Sequence, residues 1–174
     1  RRMLTTQFEV ADARRFVPMW DEPSAKATFA LEVMIPQGQS AYSNMPVASS
    51  AEANGKQVVR FVTSPKMSSY LLHLTVGDLE RISRKAAGVE IGIVTRKGAA
   101  EQGRVALDAA AEILPWYNDY FGTSYPLPKL DMIAVPGTSQ FFGAMENWGA
   151  IMYFEQALLM DPQISSESDR LNIY

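Results

Sequence analysis

The chain has 174 residues, 47% of them hydrophobic and 20% charged, so it is globular and long enough for one domain or two small ones. Its net charge of -3 gives no reason to expect nucleic acid or an anionic membrane as a partner, and no apolar run approaches the length of a spanning helix. Cysteine is absent, which excludes disulfides, thiolate metal ligands and a thiolate nucleophile.

The first half of the chain is predicted to form short strands separated by turns, which is typical of a β-sandwich or a saddle-like sheet. Asn54-Gly55 is the strongest hairpin signal, because both residues tolerate positive φ. Charged residues at 12–15 and 20–23 lie close to large apolar groups, so we expect an ion-pair network there. The predicted strands are 5–10, 28–35, 46–49, 58–63, 70–76 and 89–95.

The periodicity changes near Gly98. From 99 to 121 apolar residues recur at helical spacing, with Pro115 expected to kink or divide the helix and Gly122 just past its end. The fold class is therefore α+β, with a β domain over 1–97 and the beginning of a mixed α/β domain over 98–174. Further predicted elements are strands at 130–135, 151–154 and 157–160, and a helix near Glu167 with Ser166 and Asp169 as its capping box.

The stretch 141–150 is a loop rich in aromatic residues and glycine that leads into a strand. Gly143 and Ala144 carry little or no side chain, so another backbone could approach closely there. An extended peptide along such an edge could form main-chain hydrogen bonds with it, which would place Glu146 to meet a cation at the end of the peptide. The alternative from these residues alone is an ordinary edge strand whose glutamate faces water.

Gly143-Ala144-Met145-Glu146-Asn147, followed by Trp148-Gly149, resembles the signature of the M1 family of zinc aminopeptidases. The resemblance continues in blocks at 6–9, 12–15, 20–23, 43–46 and 67–72. It implies a saddle-shaped β domain followed by the start of a thermolysin-like catalytic domain. It also implies a peptide substrate with a free N-terminus.

The resemblance implies that Glu146 binds the free α-amino group and that Glu9 supplies a second acid for the same ammonium. Two carboxylates around one ammonium form charge-assisted hydrogen bonds that an internal peptide bond cannot replace. The other predicted substrate-binding residues are Gly143, Ala144, Met145, Asn147 and Gln7. Large apolar side chains beside a strand usually pack, so packing is expected of Met145 as well as of Phe141 and Trp148.

Hydrolysis in the M1 family needs zinc, held by His-Glu-x-x-His on a helix and a further glutamate. This sequence has one histidine, His73, in a block that the family does not use for catalysis. We therefore expect His73 to be structural or at the surface, no catalytic residue in this chain, and zinc only in a longer protein. The chain is expected to be a piece that stops just before the zinc helix and is inactive alone, and Tyr174 should not inherit the role of the family's oxyanion-stabilising tyrosine.

Two other interpretations remain at this stage. A non-catalytic scaffold of the M1 type would act in protein–protein interactions, although such a scaffold has no need of Glu146. A leukotriene-hydrolase-like branch shares the fold, but it usually has a second glycine where this chain has Ala144.

Overall fold

The computed structural model describes residues 3–140, 142–161, 165, 166 and 168. They divide into two compact units, the first made of Arg1–Asp78 with Glu146–Ala150 and the second of Leu79–Met145 with Ile151–Tyr174. The predicted change at residue 97 therefore falls inside the second unit. Strands before and after that position belong to one sheet, so the change of period marks a new element within this unit. The division into family domains stays a prediction.

The first unit contains two three-stranded antiparallel sheets, ordered β1-β6-β3 and β2-β5-β4. The expected hairpin joins β4 to β5, with φ of 53° at Asn54 and 70° at Gly55. A short helix, α1, and a 3₁₀ helix at Ser69–Leu71 complete the unit. The elements are β1 (Met3–Thr5), α1 (Ala13–Phe16), β2 (Glu32–Pro36), β3 (Ser40–Ser43), β4 (Val47–Ala53), β5 (Lys56–Phe61) and β6 (Leu74–Gly77).

The loop after α1 contains the expected ion-pair network. The buried carboxylate of Asp21 accepts the Arg14 backbone N–H at 3.0 Å and pairs with its guanidinium at 3.5 Å, and Ser69 also donates to it. Burial alone would raise the pKa of Asp21, but the hydrogen bonds from Ser69 and Arg14 outweigh it and lower the pKa. This network fixes the 3₁₀ helix through Ser69.

The second unit contains a five-stranded sheet in the order β10-β11-β9-β8-β7. Strands β8 and β9 are parallel and joined through α2, whose apolar face covers the sheet. The elements are β7 (Leu79–Ala86), β8 (Val89–Arg96), a 3₁₀ helix at Ala100–Gly103, α2 (Arg104–Tyr120), β9 (Lys129–Val135), β10 (Ala144–Met145), β11 (Ala150–Phe154) and α3 (Glu155–Leu158). No helix among the described residues is long and apolar enough to cross a bilayer.

Several predicted elements differ from the structure. The strand predicted at 5–10 ends at Thr5, and the one predicted at 70–76 begins only at Leu74, after the 3₁₀ helix. The strand predicted at 157–160 is wrong, because Ala157 and Leu158 belong to α3 and the two residues after them form no strand. Strand β7 was not predicted, because its many polar residues obscure the alternation of apolar and polar positions that indicates a strand. The helix predicted near Glu167, with Asp169 in its capping box, lies outside the described residues.

Pro115 does not divide α2. The helix runs unbroken from Arg104 to Tyr120, although a proline at this position removes one backbone hydrogen bond. The last turn is held by Asn118, whose Oδ1 accepts the N–H of Tyr125 at 2.8 Å. Gly122, at φ 62°, follows the end of the helix as expected.

Candidate amine-binding site

Glu146 begins a short turn within the first unit. The turn closes through a hydrogen bond from the Ala150 N–H to the Asn147 carbonyl at 3.0 Å. Gly149 has φ 70°, a conformation that side-chain-bearing residues rarely adopt, which explains the glycine after Trp148. The turn leaves the side chain of Glu146 exposed between two buried neighbours, Met145 and Asn147.

Two buried asparagines hold this turn against the segment after the 3₁₀ helix. Asn44 Nδ2 donates to the carbonyl oxygens of Leu71 at 2.7 Å and Trp148 at 2.8 Å, while its Oδ1 accepts the His73 N–H at 2.8 Å. Asn147 Nδ2 donates to the same Leu71 carbonyl at 3.2 Å. The position of Glu146 is therefore fixed by side chains on both sides of the turn.

Tyr70, in the 3₁₀ helix, contacts the first of the two predicted amine ligands, Glu146. Its hydroxyl donates a hydrogen bond of 2.7 Å to Oε1 of Glu146. The pKa of Tyr70 is raised, first by this hydrogen bond, then by burial, and then by the negative charges of Glu146 and Glu9. The hydrogen bond with Glu146 is thus the largest of these contributions, and the charge of Glu9 is the smallest.

Glu9 lies in the loop after β1 and is held by its neighbour Gln7. The Gln7 side-chain oxygen accepts the Glu9 N–H at 2.5 Å, and its amide nitrogen donates to the Glu9 carbonyl at 3.5 Å. Phe8, between them, is buried with only 6% of its surface exposed. Burial of Phe8 anchors the loop and leaves the carboxylate of Glu9 exposed.

Neither of these acids forms an ion pair with any residue that the structure describes. The arginines that the structure describes in the first unit are paired elsewhere, Arg14 with Asp21, Arg15 with Asp12 and Arg60 with Glu32. The site thus consists of two carboxylates and a hydroxyl oxygen, all of which can accept hydrogen bonds. Such a group of acceptors favours a cationic hydrogen-bond donor as its ligand.

Gly143 and Ala144 lie in the second unit, where β10 is the edge strand of the sheet. Ala144 pairs with Tyr153 and Met145 with Met152, and the Gly143 carbonyl accepts the Phe154 N–H at 3.1 Å. Ala144 is exposed whereas Met145 is 3% exposed, so the methionine packs as expected. A Cβ built at Gly143 would meet no atom within 4 Å, so the fold does not require glycine there.

The remaining sequence predictions have mixed outcomes. Asn147, predicted to bind substrate, has a fully buried side chain that bonds to Leu71, because it lies on the inner side of the turn. Trp148 does not pack as expected and keeps 41% of its surface exposed. Phe141 and Tyr174 lie outside the described residues. Tyr70 and Asn44 were not singled out as site residues, although they lie in two of the blocks that resemble the family, at 67–72 and 43–46.

The described residues do not fit a zinc ion. They contain no group of three histidine, cysteine or carboxylate side chains that could hold a metal. His73 is fully buried, and its Nε2 lies 2.8 Å from Oγ1 of Thr75, so it is structural. No catalytic step of the described residues is therefore assigned to a metal.

Two family models match the chain. Residues 1–71 match the peptidase M1 N-terminal domain, and residues 105–174 match the peptidase family M1 domain. The chain belongs to peptidase family M1. The fold class and the family resemblance predicted from the sequence are thereby confirmed, with an M1 N-terminal domain followed by the start of the catalytic domain.

Named relatives within the M1 family are aminopeptidases from distant organisms. Aminopeptidase N of Acetobacter pasteurianus is 50% identical over 100% of this chain and 49% of its own length. Probable aminopeptidase 2 of Sulfurisphaera tokodaii is 44% identical over 94% of the chain and 21% of its own length. The puromycin-sensitive aminopeptidase of Caenorhabditis elegans is 45% identical over 98% of the chain and 18% of its own length. The chain thus spans half or less of the relatives it matches.

Proposed function

We propose that this chain is the part of a zinc aminopeptidase that binds the free α-amino group of a peptide, so that the intact protein removes N-terminal residues. The observation that carries the proposal is the exposed carboxylate of Glu146, which accepts a hydrogen bond from Tyr70 at 2.7 Å. Neither Glu146 nor Glu9, the second proposed ligand, is neutralised by a cation among the described residues.

An ammonium is the ligand that such a site would select. It offers three N–H donors and a positive charge, whereas an internal peptide nitrogen offers one donor and no charge. Binding an internal segment would bring the two carboxylates out of water without a partner, which is costly. A preference for chain ends follows from this difference.

Strand β10 would align an extended peptide. One side of this edge strand pairs with no other strand of the described residues, and β10 is only two residues long, so a peptide could add to it by main-chain hydrogen bonds. Exposed Gly143 and Ala144 would allow a close approach of the peptide backbone. The smallness of Gly143 is not needed by the fold, which is consistent with a role in binding.

Hydrolysis itself would need the zinc on which the M1 family generally depends. Since the described residues do not fit a metal, its ligands would come from outside this described part of the protein. We therefore expect the 174 residues alone to bind amines weakly and to hydrolyse nothing. No observation in the structure favours a purely non-catalytic scaffold.

The test compares two substrates in the intact protein that contains this chain, an aminoacyl-arylamide and its N-acetylated form. Glu146→Gln should lower kcat/KM for the free amine by about 100-fold, because it removes one charged partner in a two-acid site, and Glu9→Gln by about 10-fold. Exposed Glu112 on α2 provides the matched control, since Glu112→Gln makes the same chemical change outside the site. Equal activity of the unaltered protein on both substrates would rule the proposal out.

A further inference from the structure

Tyr70 carries an inference beyond the two acids, and this inference rests on the proposed function. We propose that Tyr70 is a positioning residue, whose hydroxyl holds the carboxylate of Glu146 in the orientation that receives the substrate ammonium. It is the one side chain that the structure joins to Glu146 by a hydrogen bond among the described residues, with Oη and Oε1 2.7 Å apart.

The geometry of the hydrogen bond leaves the rest of the carboxylate free. Tyr70 occupies one lone pair of Oε1, so Oε2 remains available to an incoming N–H group. Glutamate has three rotatable bonds, and an exposed one samples several rotamers in water. Restraining it before the substrate arrives reduces the entropy lost on binding, which is the advantage of preorganisation.

The tyrosine hydroxyl also retains acceptor capacity. A phenol that donates its single proton to Glu146 can still accept a hydrogen bond through its oxygen lone pairs. An ammonium bound by Glu146 would lie near the Tyr70 oxygen as well, because the two side chains are joined by a hydrogen bond of 2.7 Å. A tyrosine hydroxyl is protonated, and therefore a donor, at neutral pH, and the hydrogen bond to Glu146 raises the pKa of Tyr70 further.

The backbone around Tyr70 is held by other residues, so the hydroxyl is not needed to build the turn. Ser69, just before it, donates to buried Asp21. The carbonyl of Leu71, just after it, accepts hydrogen bonds from Asn44 and Asn147. Removing one oxygen atom from Tyr70 should therefore leave the 3₁₀ helix in place and affect the carboxylate alone.

The experiment is a double-mutant cycle in the intact protein, with Tyr70→Phe and Glu146→Gln alone and together. The matched control is Tyr120→Phe on α2, where the ring contacts with Trp116 and Phe121 would be kept. We expect Tyr70→Phe to raise KM for an aminoacyl-arylamide about 5- to 10-fold with little change in kcat, as for loss of one hydrogen bond to a charged group. In the Glu146→Gln background the same change should have less than about a 2-fold effect, because the two residues act as one unit.

An internal reference guards against a variant that is partly unfolded. The ratio of kcat/KM for the aminoacyl-arylamide to that for its des-amino analogue does not depend on the fraction of active protein. Tyr70→Phe should lower this ratio, and Tyr120→Phe should leave it unchanged.

The outcomes separate this inference from the proposed function. If Glu146→Gln lowers the ratio but Tyr70→Phe does not, the role of Tyr70 is refuted and the amine site stands. An undiminished effect of Tyr70→Phe in the Glu146→Gln background would also refute it, because Tyr70 would then act independently of Glu146. If Glu146→Gln itself leaves the ratio unchanged, the proposed function fails, and the inference with it.

Discussion

Both units contain a cluster of ionisable side chains, and the two clusters have opposite designs. In the second unit, the Asp131 carboxylate accepts hydrogen bonds from Arg81 at 2.8 Å and from Lys129 at 2.9 Å. The Arg81 guanidinium also pairs with Glu90 at 2.5 Å. That cluster is balanced in charge, and the Asp131 side chain is only 1% exposed. In the first unit, exposed Glu146 bonds to Tyr70 and exposed Glu9 is the second proposed amine ligand, and neither acid forms an ion pair with a described residue.

This difference indicates how a charge cluster that stabilises the fold can be distinguished from one that binds a ligand. The free-energy cost of burying a charge must be offset by partners inside the protein, and Asp131 is accordingly paired with two cations within its own sheet. Burial would lower the pKa of Arg81, but the charges of Asp131 and Glu90 and the hydrogen bonds to them together outweigh it and raise the pKa. An exposed pair of acids needs no internal cation, because water solvates it until a ligand arrives. The unbalanced cluster is therefore the candidate for binding.

The largest expected effect tests the structural cluster. Asp131→Asn would leave Lys129 and Arg81 without their buried counter-charge, which should lower the free energy of unfolding by about 3 kcal/mol. Denaturant unfolding measures this loss. As a control, Asp108→Asn breaks an exposed pair with Arg84 and should cost less than about 1 kcal/mol. Similar losses in both variants would remove the distinction between buried and exposed clusters.

A smaller effect is expected in the first unit, from the residue that holds the turn of Glu146. Asn44→Ala removes three hydrogen bonds and leaves the Leu71 and Trp148 carbonyls with fewer donors, so stability should fall by about 2 kcal/mol. The same variant should weaken amine binding through displacement of the turn, which isothermal titration with an amino acid amide would detect. Unchanged stability would show that Asn44 does not hold the turn.

The same change, glycine to alanine, at two positions of the second unit separates a structural role from a binding role. Gly92 lies on the strand between Arg81 and Asp131, and an added Cβ would overlap the side chains of both, so Gly92→Ala should cost about 1–3 kcal/mol. Gly143→Ala meets no atom and should change the free energy of unfolding by less than about 0.5 kcal/mol. Its effect should appear in KM instead. Thermal unfolding of both variants and peptide kinetics for Gly143→Ala are the measurements.

The smallest effect concerns the alkaline titration of Tyr70. The pKa of Tyr70 is raised in the folded protein above its ordinary value of 10.0, so the interaction stabilises the fold fully at and below that pH. It is lost as the pH rises through the raised pKa. Ultraviolet difference titration of the wild type against Tyr70→Phe should show a late-ionising tyrosine, and Glu146→Gln should bring it back toward the ordinary range. No change in Glu146→Gln would contradict the assignment of the cause.

Elements with a strong local signal were predictable from the sequence. Helix α2 follows from apolar spacing, the β4–β5 hairpin from Asn54-Gly55, and strand β11 from the run of apolar and aromatic residues at 151–154. Strand β7 was not predictable in this way, because Arg81 looks like a surface residue until Asp131, fifty positions later, is seen beside it. Local pattern carries no information about such distant pairing.

The candidate site was predictable only in part, for a related reason. Glu146 belongs to an unbroken signature, and Glu9 to a block that resembles the same family. Tyr70 sits in an apolar run with Leu71 and Leu72, so its sequence indicates a buried strand residue. Its relation to Glu146 spans seventy-six positions and depends on a 3₁₀ helix that apolar spacing does not indicate.

Glu146–Ala150 belongs to the first unit although its flanking strands, β10 and β11, lie in the second. Genetic exchange between homologous genes anywhere from residue 79 to 145 would therefore take Glu9 and Tyr70 from one parent and Glu146 from the other. The three side chains must stay compatible across such a junction even though they are inherited separately. Chimeras that exchange residues 1–78 together with 146–150 should keep their specificity for free N-termini better than chimeras that exchange 1–78 alone.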